Sequence, residues 1–500
     1  MHFCIIELHF HHFFCITPAP RITPSTVFRT TTVRYPCPDI PLSPAPARQA
    51  SADPMPLAAL AVGFIMAMLD VTVVNVALSD IARSLEVSLS GLVWVVDGYT
   101  LAFAAMLLVG GALADRLGAR AVYLAGLAIF TLASVACGLA QDGMALAGAR
   151  LAQGVGASLF VPSSLSLLVH TYADERVRAR MVALWSAIVT LSVAAGPLVG
   201  GLLIAHFGWR SVFLINVPIG IAGALLTLKL VRPAPRRPRA LNPASHALGI
   251  TGLAALCYAL IQGPERGWTA PSILLAAVLA LAAGAMLAWL ERRAASPLVP
   301  RQLLAEPRFL PANALGALAS FAVYGQLFLL SLYLQRARGA GPLDTGFQLM
   351  PLMLILVVGN LLSGRLSSQR GTRFPMLAGT GLAALVTAAA AFDGLALPYW
   401  LMMALLVCGN LGAAIAIPAM TATVMQSGGK EHANSAAAIL NANRQIGTLL
   451  GVAVMGSLLH GLPDWSDSLP AGLAVVATAY GAAWLCILRA GNAARRQPAR

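Results

Sequence analysis

Fourteen apolar runs punctuate the chain, near residues 57–78, 94–113, 120–140, 144–168, 181–206, 212–230, 244–262, 270–290, 309–334, 345–366, 374–392, 398–425, 433–460 and 470–488. Each is about as long as a helix must be to cross a hydrocarbon core of about 30 Å. The polar stretches between them alternate in character. One set carries arginine in excess, as at Arg116 and Arg120, Arg176, Arg178 and Arg180, Arg236, Arg237 and Arg239, or Arg365, Arg370 and Arg373. The other dilutes Arg83, Arg210 and Arg266 with Asp80, Glu86, Asp142, Glu265, Asp464 and Asp467. Arginine excess marks cytoplasmic loops, so the alternation places both termini in the cytoplasm of a multi-pass cell (inner) membrane protein. An even number of crossings is what that outcome requires.

The pattern also repeats. Gly111–Arg120 reads GALADRLGAR and Gly364–Arg373 reads GRLSSQRGTR, aligning without gaps at Gly111/Gly364, Leu113/Leu366, Gly118/Gly371 and Arg120/Arg373. Runs 1–6 and 9–14 then become equivalent halves, with runs 7 and 8 inserted between them. The predicted fold is an all-α integral membrane protein of 14 transmembrane helices, two pseudo-symmetric six-helix bundles plus an inserted pair. Such halves enclose a site near the midplane in rocking transporters. The expected organisation is 56–231 for the first bundle, 232–297 for the linker and inserted pair, 298–490 for the second bundle, and 491–500 for a cytoplasmic tail. Residues 1–55 hold a His-rich start and Pro/Thr/Arg runs unlike the rest. They are expected to be disordered, or translated upstream of a true start at Met55.

Composition agrees. Of 500 residues 58% are hydrophobic and 10% charged, and mean hydropathy is +0.77. Soluble domains carry about 25% charge. The net charge of +14 does not point to nucleic acid, because the arginines lie in short interhelical segments rather than one patch. Seven scattered cysteines show no metal-ligand spacing and no disulfide framework. No phosphate-cradling Gly-Lys-Ser/Thr loop is present, so the chain carries no ATP motor, and no nucleophile–base constellation suggests an enzyme. No cofactor is expected. The implied partners are a small-molecule substrate, the bilayer and protons, and an adaptor protein is compatible but unspecified.

Within the apolar runs a few polar residues stand out. Asp70 shares a helical stripe with Gly63, Ala67 and Ala77, so a neighbouring helix or cavity can approach it. An acid in mid-membrane is by default a functional group, with a helix-paired, idle Asp as the alternative. Arg150, Gln153, Gly154 and Ala157 lie at offsets 0, 3, 4 and 7, one face of the fourth run. An intramembrane arginine needs a partner, and Asp70 is the nearest plausible carboxylate; a purely structural Arg150 satisfying carbonyls is the alternative. In GALADRLGAR, Gly111 permits close helix contact, Gly118 a tight turn, and Asp115 can pair with Arg116 or Arg120 or cap the next helix. Those charges would make a gate if they part in another conformation, and an ordinary capped loop if they do not. Gly196, Pro197, Gly200 and Gly201 remove a helical hydrogen bond and open room for a neighbour, so the fifth helix should bend there. Asn434, Asn441, Arg444, Gln445, Thr448 and Gly451 form a stripe too polar for lipid, lining a central cavity or an interhelical seam. Tyr324 and Gln326 are weaker cavity candidates. Asp97, beside Trp94 and Tyr99, is either a second proton or cation site or a surface-bound acid at a helix end.

The motifs resemble those of the major facilitator superfamily. GALADRLGAR is similar to its signature between helices 2 and 3, Arg150–Ala157 to its helix 4 motif, and Ala194–Gly201 to the helix 5 motif of its proton antiporters. Leu69–Leu78 and Trp209–Gly220 resemble the fourteen-helix drug:proton antiporter group. The resemblance implies proton-driven export of lipophilic or cationic drugs. It assigns proton coupling to Asp70 and Arg150, with Asp97 a further candidate, and gating to Gly111, Asp115, Arg116, Gly118 and Arg120. The helix-bend motif is Gly196, Pro197, Gly200 and Gly201, and Gln153, Tyr324, Gln326, Asn441, Arg444 and Gln445 are candidates for the substrate cavity. In the second half Ser368 and Gln369 replace Asp115 and Arg116, so gating does not carry over there. Export of one specific metabolite, and proton-coupled uptake, remain alternatives.

Overall fold

The computed structural model describes residues 54–172, 174–233, 243–294, 297, 300–393 and 397–496. The expectations placed on residues 1–53, the last residues of the tail and the Asn434 side chain lie outside the described residues. Fifteen helices follow in chain order: α1 (Met55–Leu85), α2 (Leu89–Leu117), α3 (Ala119–Leu139), α4 (Gly143–Thr171), α5 (Glu175–Phe207), α6 (Ser211–Leu214), α7 (Asn216–Leu230), α8 (Pro243–Arg266), α9 (Pro271–Arg293), α10 (Arg301–Ala305), α11 (Phe309–Leu332), α12 (Pro342–Arg370), α13 (Arg373–Asp393), α14 (Tyr399–Gly461) and α15 (Trp465–Arg496).

Thirteen of the described helical stretches are long and apolar enough to cross a membrane. The fourteenth expected run, 433–460, falls in the second limb of α14, which is not among those thirteen. That 63-residue helix breaks at Gly429, where φ is +54° and ψ −162°, a conformation open to glycine alone. Residues 430–461 therefore form a limb of their own, about 48 Å long at 1.5 Å per residue.

Local chemistry sets the ends. Ser88 Oγ accepts from the Gly91 N–H at the start of α2, and Asp142 Oδ1 from Ala145 at the start of α4, satisfying donors that a helix N-terminus leaves free. Only Gly118, at φ +101°, separates α2 from α3, and its counterpart Gly371, at φ +72°, lies with Thr372 between α12 and α13.

The repeat goes deeper than those turns. Arg120 donates through Nη2 to the Leu228 carbonyl at 2.6 Å, and Arg373 to the Leu488 carbonyl at 3.4 Å. Each arginine thus ties the third helix of its half to the last. Gly126 of α3 meets the Gly156 carbonyl of α4, where an added Cβ would lie 2.7 Å away; Gly379 of α13 meets Gly412 of α14 at 2.4 Å. With no hydrophobic force between helices in lipid, such backbone approach is what holds them.

α1 packs against α5, α2 against α4 and α14, and α12 against both α5 and α14. The inserted pair is attached through α8, which touches α2 and α14; α9 packs on α8. Leu275, Val278 and Leu281 of α9 are exposed, the pattern of a helix whose outer face meets lipid.

Candidate functional site

Halfway along α1, Asp70 points inward and is buried with Arg150 of α4, whose side chain is 1% exposed. The two form an ion pair, Arg150 Nη1 to Asp70 Oδ2. The guanidinium is held by more than its counter-ion. Its Nε donates to the Val95 carbonyl of α2 at 2.8 Å and Nη1 to Gln153 Oε1 at 2.9 Å. Gln153 in turn donates to Ser134 Oγ of α3 at 2.8 Å and accepts from the Cys137 thiol. The Tyr99 ring lies 4.6 Å from the guanidinium carbon and the Phe213 ring 5.8 Å, so π faces offset part of the desolvation cost. Groups from α1, α2, α4 and α6 converge on one cation, and α3 steadies Gln153 behind them. By contrast Asp70 Oδ1 has no hydrogen-bond partner. The cation is fixed from many sides, while the carboxylate leans on Arg150 and the neighbouring Gln153 and leaves Oδ1 unpartnered.

On the other side of Arg150 lies a small cavity, with room for about one water molecule. Val71 and Asn75 of α1, Val96, Tyr99 and Thr100 of α2, Tyr324 of α11, and Thr448 and Val452 of α14 line it. Both halves contribute walls. Toward the Leu85 end the cavity is sealed by contacts between the halves. Ser331 Oγ of α11 donates to the Asn75 carbonyl at 2.6 Å, and Gln335 Nε2 to the Val76 carbonyl at 3.0 Å. Gln335 belongs to a π-turn, Tyr333–Ala337, of the kind often found at functional positions. Here it shares a face with Ser331, to which it is also hydrogen-bonded at 3.2 Å.

The glycine-proline stretch of α5 takes part in the same closure. A Cβ on Gly196 would fall 1.8 Å from Thr72 Oγ1, one on Gly201 2.8 Å from the Pro342 carbonyl of α12, and Gly346 abuts the Pro197 carbonyl. The room predicted for neighbours is occupied by α1 and α12.

Several expectations need correction. Asp115 pairs with neither Arg116 nor Arg120 and caps nothing: α3 has no side-chain cap, and Arg120 is drawn to the Leu228 carbonyl because carbonyls at a helix C-terminus lack intrahelical donors. Gly111 makes no close helix contact, having nothing within 4 Å of an added Cβ; the tight approach belongs to Gly110, 2.1 Å from the Ser158 carbonyl. Gln153 does not line the cavity, because its amide is spent bridging Arg150 to Ser134. Gln326 is buried with Nε2 unpartnered, and Asn441 is exposed; neither touches the cavity, whereas Thr448 does. Arg444 is half-buried and reaches Ser320 Oγ at 3.4 Å, and Gln445 is half-buried. Asp97 is no surface-bound acid. It is fully buried, with neither oxygen hydrogen-bonded. Sequence reasoning missed Ser331, whose polarity in an apolar run was the available signal, and Gln335, just past the end of that run.

A helical membrane protein built from two related halves, with a buried ion pair beside a cavity walled by both, is a membrane-embedded transporter of small molecules. The chain belongs to the Major Facilitator Superfamily, whose family model matches residues 60–452. It is 46% identical over 429 residues to the methylenomycin A resistance protein of Streptomyces coelicolor, covering 85% of this chain and 89% of that one. To the protein of the same name from Bacillus subtilis it is 44% identical over 433 residues, 86% and 93% of the two chains. The multidrug resistance protein Stp of Mycobacterium tuberculosis is 36% identical over 404 residues, 81% and 75% of the two. Among solved structures, a bacterial homologue of the human lysosomal transporter Spinster, inward-facing and unoccupied, shares the fold with a TM-score of 0.65 at 18% identity, over 90% of this chain and all of that one.

Proposed function

We propose that the chain exports drug-like small molecules in exchange for protons, with Asp70 as the proton carrier and Arg150 as the partner whose hold on it depends on charge. The observation that carries this is the asymmetry of the buried pair: Arg150 is held by neutral acceptors and rings from several helices, while Arg150 is the one charged partner of Asp70 and Asp70 Oδ1 has none. A proton on Asp70 would cancel the attraction and leave Arg150 in place, freeing α1 to move relative to α4. Because α1 also carries Asn75 and Val76, the carbonyls gripped by Ser331 and Gln335, that movement is coupled to closure at the Leu85 end. The alternation of arginine-rich loops supports a cytoplasmic Met55 end and an outward Leu85 end. This reading needs protons and a bilayer, and it requires no adaptor protein.

Support for export of drugs comes from the relatives, named for resistance to antibiotics or to multiple drugs. Two of them, from different genera, carry the name of one antibiotic, which favours a second reading with a single narrow substrate. A growth-inhibition panel containing methylenomycin A and unrelated lipophilic cations, in a host lacking its own pumps, separates the two. Flux direction in inverted vesicles under an imposed pH gradient tests export against uptake. For the coupling step, substrate-driven proton release in proteoliposomes is lost in Asp70→Asn; if it persists, Asp70 is not the carrier.

A further inference from the structure

The inserted pair α8–α9 gives the molecule a second ionisable site that the Asp70–Arg150 pair does not use. Asp97 lies two turns into α2, on a face about a quarter turn from the one lining the central cavity. Its carboxyl is buried and neither oxygen has a hydrogen-bond partner. One turn closer to the Leu89 end, Val93 of α2, Ile261 of α8 and Ala453 of α14 floor a separate crevice that opens past Ser90 and Ser457 to His460.

α8 is fastened along this crevice by polar contacts. Pro264 has no N–H, so the Leu260 carbonyl loses its intrahelical donor; Ser457 Oγ of α14 supplies one at 2.7 Å. Ser90 of α2 donates to Glu265. The titratable groups facing the site are therefore the buried Cys257 thiol of α8, within electrostatic reach of Asp97, and Glu265 and His460 at the mouth. From α4 the nearest charge, Arg150, is spent on Asp70 and the Val95 carbonyl. A metal cation would need several oxygen ligands around it, whereas a proton needs one lone pair. A buried carboxylate without cation or donor carries a desolvation cost that gaining a proton removes.

We infer that Asp97 is a proton-loading site filled from the Glu265–His460 end of the molecule, through the crevice that the inserted helix α8 completes with α2 and α14, on a route separate from Asp70. The inference rests on the proton-exchange reading above and adds a second site to it. In the step itself a proton from water at the mouth binds one Asp97 oxygen, and leaves by the reverse. Val93, one turn before Asp97 on α2, lines the crevice with Ile261 and Ala453, and rotamer changes of Val93 and Ile261 are the motion by which the route would admit a water.

The test uses the full chain in right-side-out and inverted membrane vesicles, with pH set independently inside and outside. A hydrophobic carbodiimide, which reacts with protonated carboxyls, is the probe, and peptide mass spectrometry reads modification at Asp97, with Asp97→Asn as the identity control. Labelling is expected to follow the pH on the side bearing Glu265, falling about tenfold per unit above its midpoint as for a single titrating group. The same dependence is expected in Asp70→Asn, even where that variant has lost substrate-driven proton release. Labelling that ignores pH, follows the opposite side, or disappears in Asp70→Asn while the wild type labels would overturn the inference. Persistent proton release in Asp70→Asn would instead overturn the role given to Asp70 and leave this site standing.

Discussion

Replacing Asp70 by Asn strips the buried Arg150 guanidinium of its counter-ion, and the structure sets the size of the effect. Removing one partner of a buried pair costs about 3–5 kcal/mol, because the remaining charge is left in a low-dielectric site. Arg150 keeps the Val95 carbonyl, Gln153 Oε1 and the Tyr99 face, so the lower end, about 3 kcal/mol, is expected here. Arg150→Met removes the only charged partner of Asp70, whose Oδ1 has no partner already, and a cost of about 3 kcal/mol follows on the same grounds. Together the two substitutions remove both charges. Exchanging a buried pair for neutral groups of similar volume is close to neutral, so the double variant should cost far less than the roughly 6 kcal/mol of the summed singles. The assay is unfolding of the purified full chain by graded SDS in mild detergent micelles, followed by circular dichroism, on all four corners of the cycle. A coupling of at least about 3 kcal/mol, rising toward about 6 as the double variant approaches neutrality, is the expected result. Singles that add to within about 0.5 kcal/mol would mean that Asp70 and Arg150 are not energetically coupled, because sites that do not interact behave that way.

Three further outcomes follow from the packing. Gly110→Ala should destabilise by about 1–3 kcal/mol, because its Cβ would meet the Ser158 carbonyl at 2.1 Å, whereas Gly111→Ala, facing open space, should be neutral or stabilise by up to about 1 kcal/mol; paired thermal melts decide. Gly196→Ala places a methyl 1.8 Å from Thr72 Oγ1 and 2.6 Å from its Cβ and should lower the yield of folded protein; adding Thr72→Gly, which removes both atoms, should restore part of it, as fluorescence-detected size exclusion would show. Ser331→Ala with Gln335→Ala removes both side-chain donors to the α1 carbonyls; at about 1 kcal/mol per hydrogen bond the closed Leu85 end should open roughly 30-fold more often, read as faster thiol labelling of an Asn75→Cys background.

The inserted pair has a physical consequence for the whole. α9 faces lipid along most of its length, so its sequence need only be apolar, while α8 carries the polar groups that dock it: Glu265 toward Ser90, and the carbonyl freed by Pro264 toward Ser457. Polar docking of that kind is specific in a bilayer, where an unsatisfied carbonyl finds no water.

The spans of thirteen apolar helices, the internal repeat and the pairing of Asp70 with Arg150 are all determined by the sequence, for one reason. In a membrane every backbone group must be satisfied within its own segment, so length and hydropathy fix a helix without knowledge of its neighbours, and an ionisable residue inside it must find an opposite charge. Gly118, Gly371, Arg120 and Arg373 are legible as a repeat for the same local reason. What the tertiary structure alone decides is which side chain meets which across helices. Gly110 rather than Gly111 touches α4, Arg120 turns to the Leu228 carbonyl instead of Asp115, Gln153 props Arg150 rather than facing the cavity, and Ser331 and Gln335 clasp α1. Those contacts depend on rotations of a helix about its own axis by a fraction of a turn, set by close packing against several neighbours at once, and neither hydropathy nor spacing along one segment encodes them.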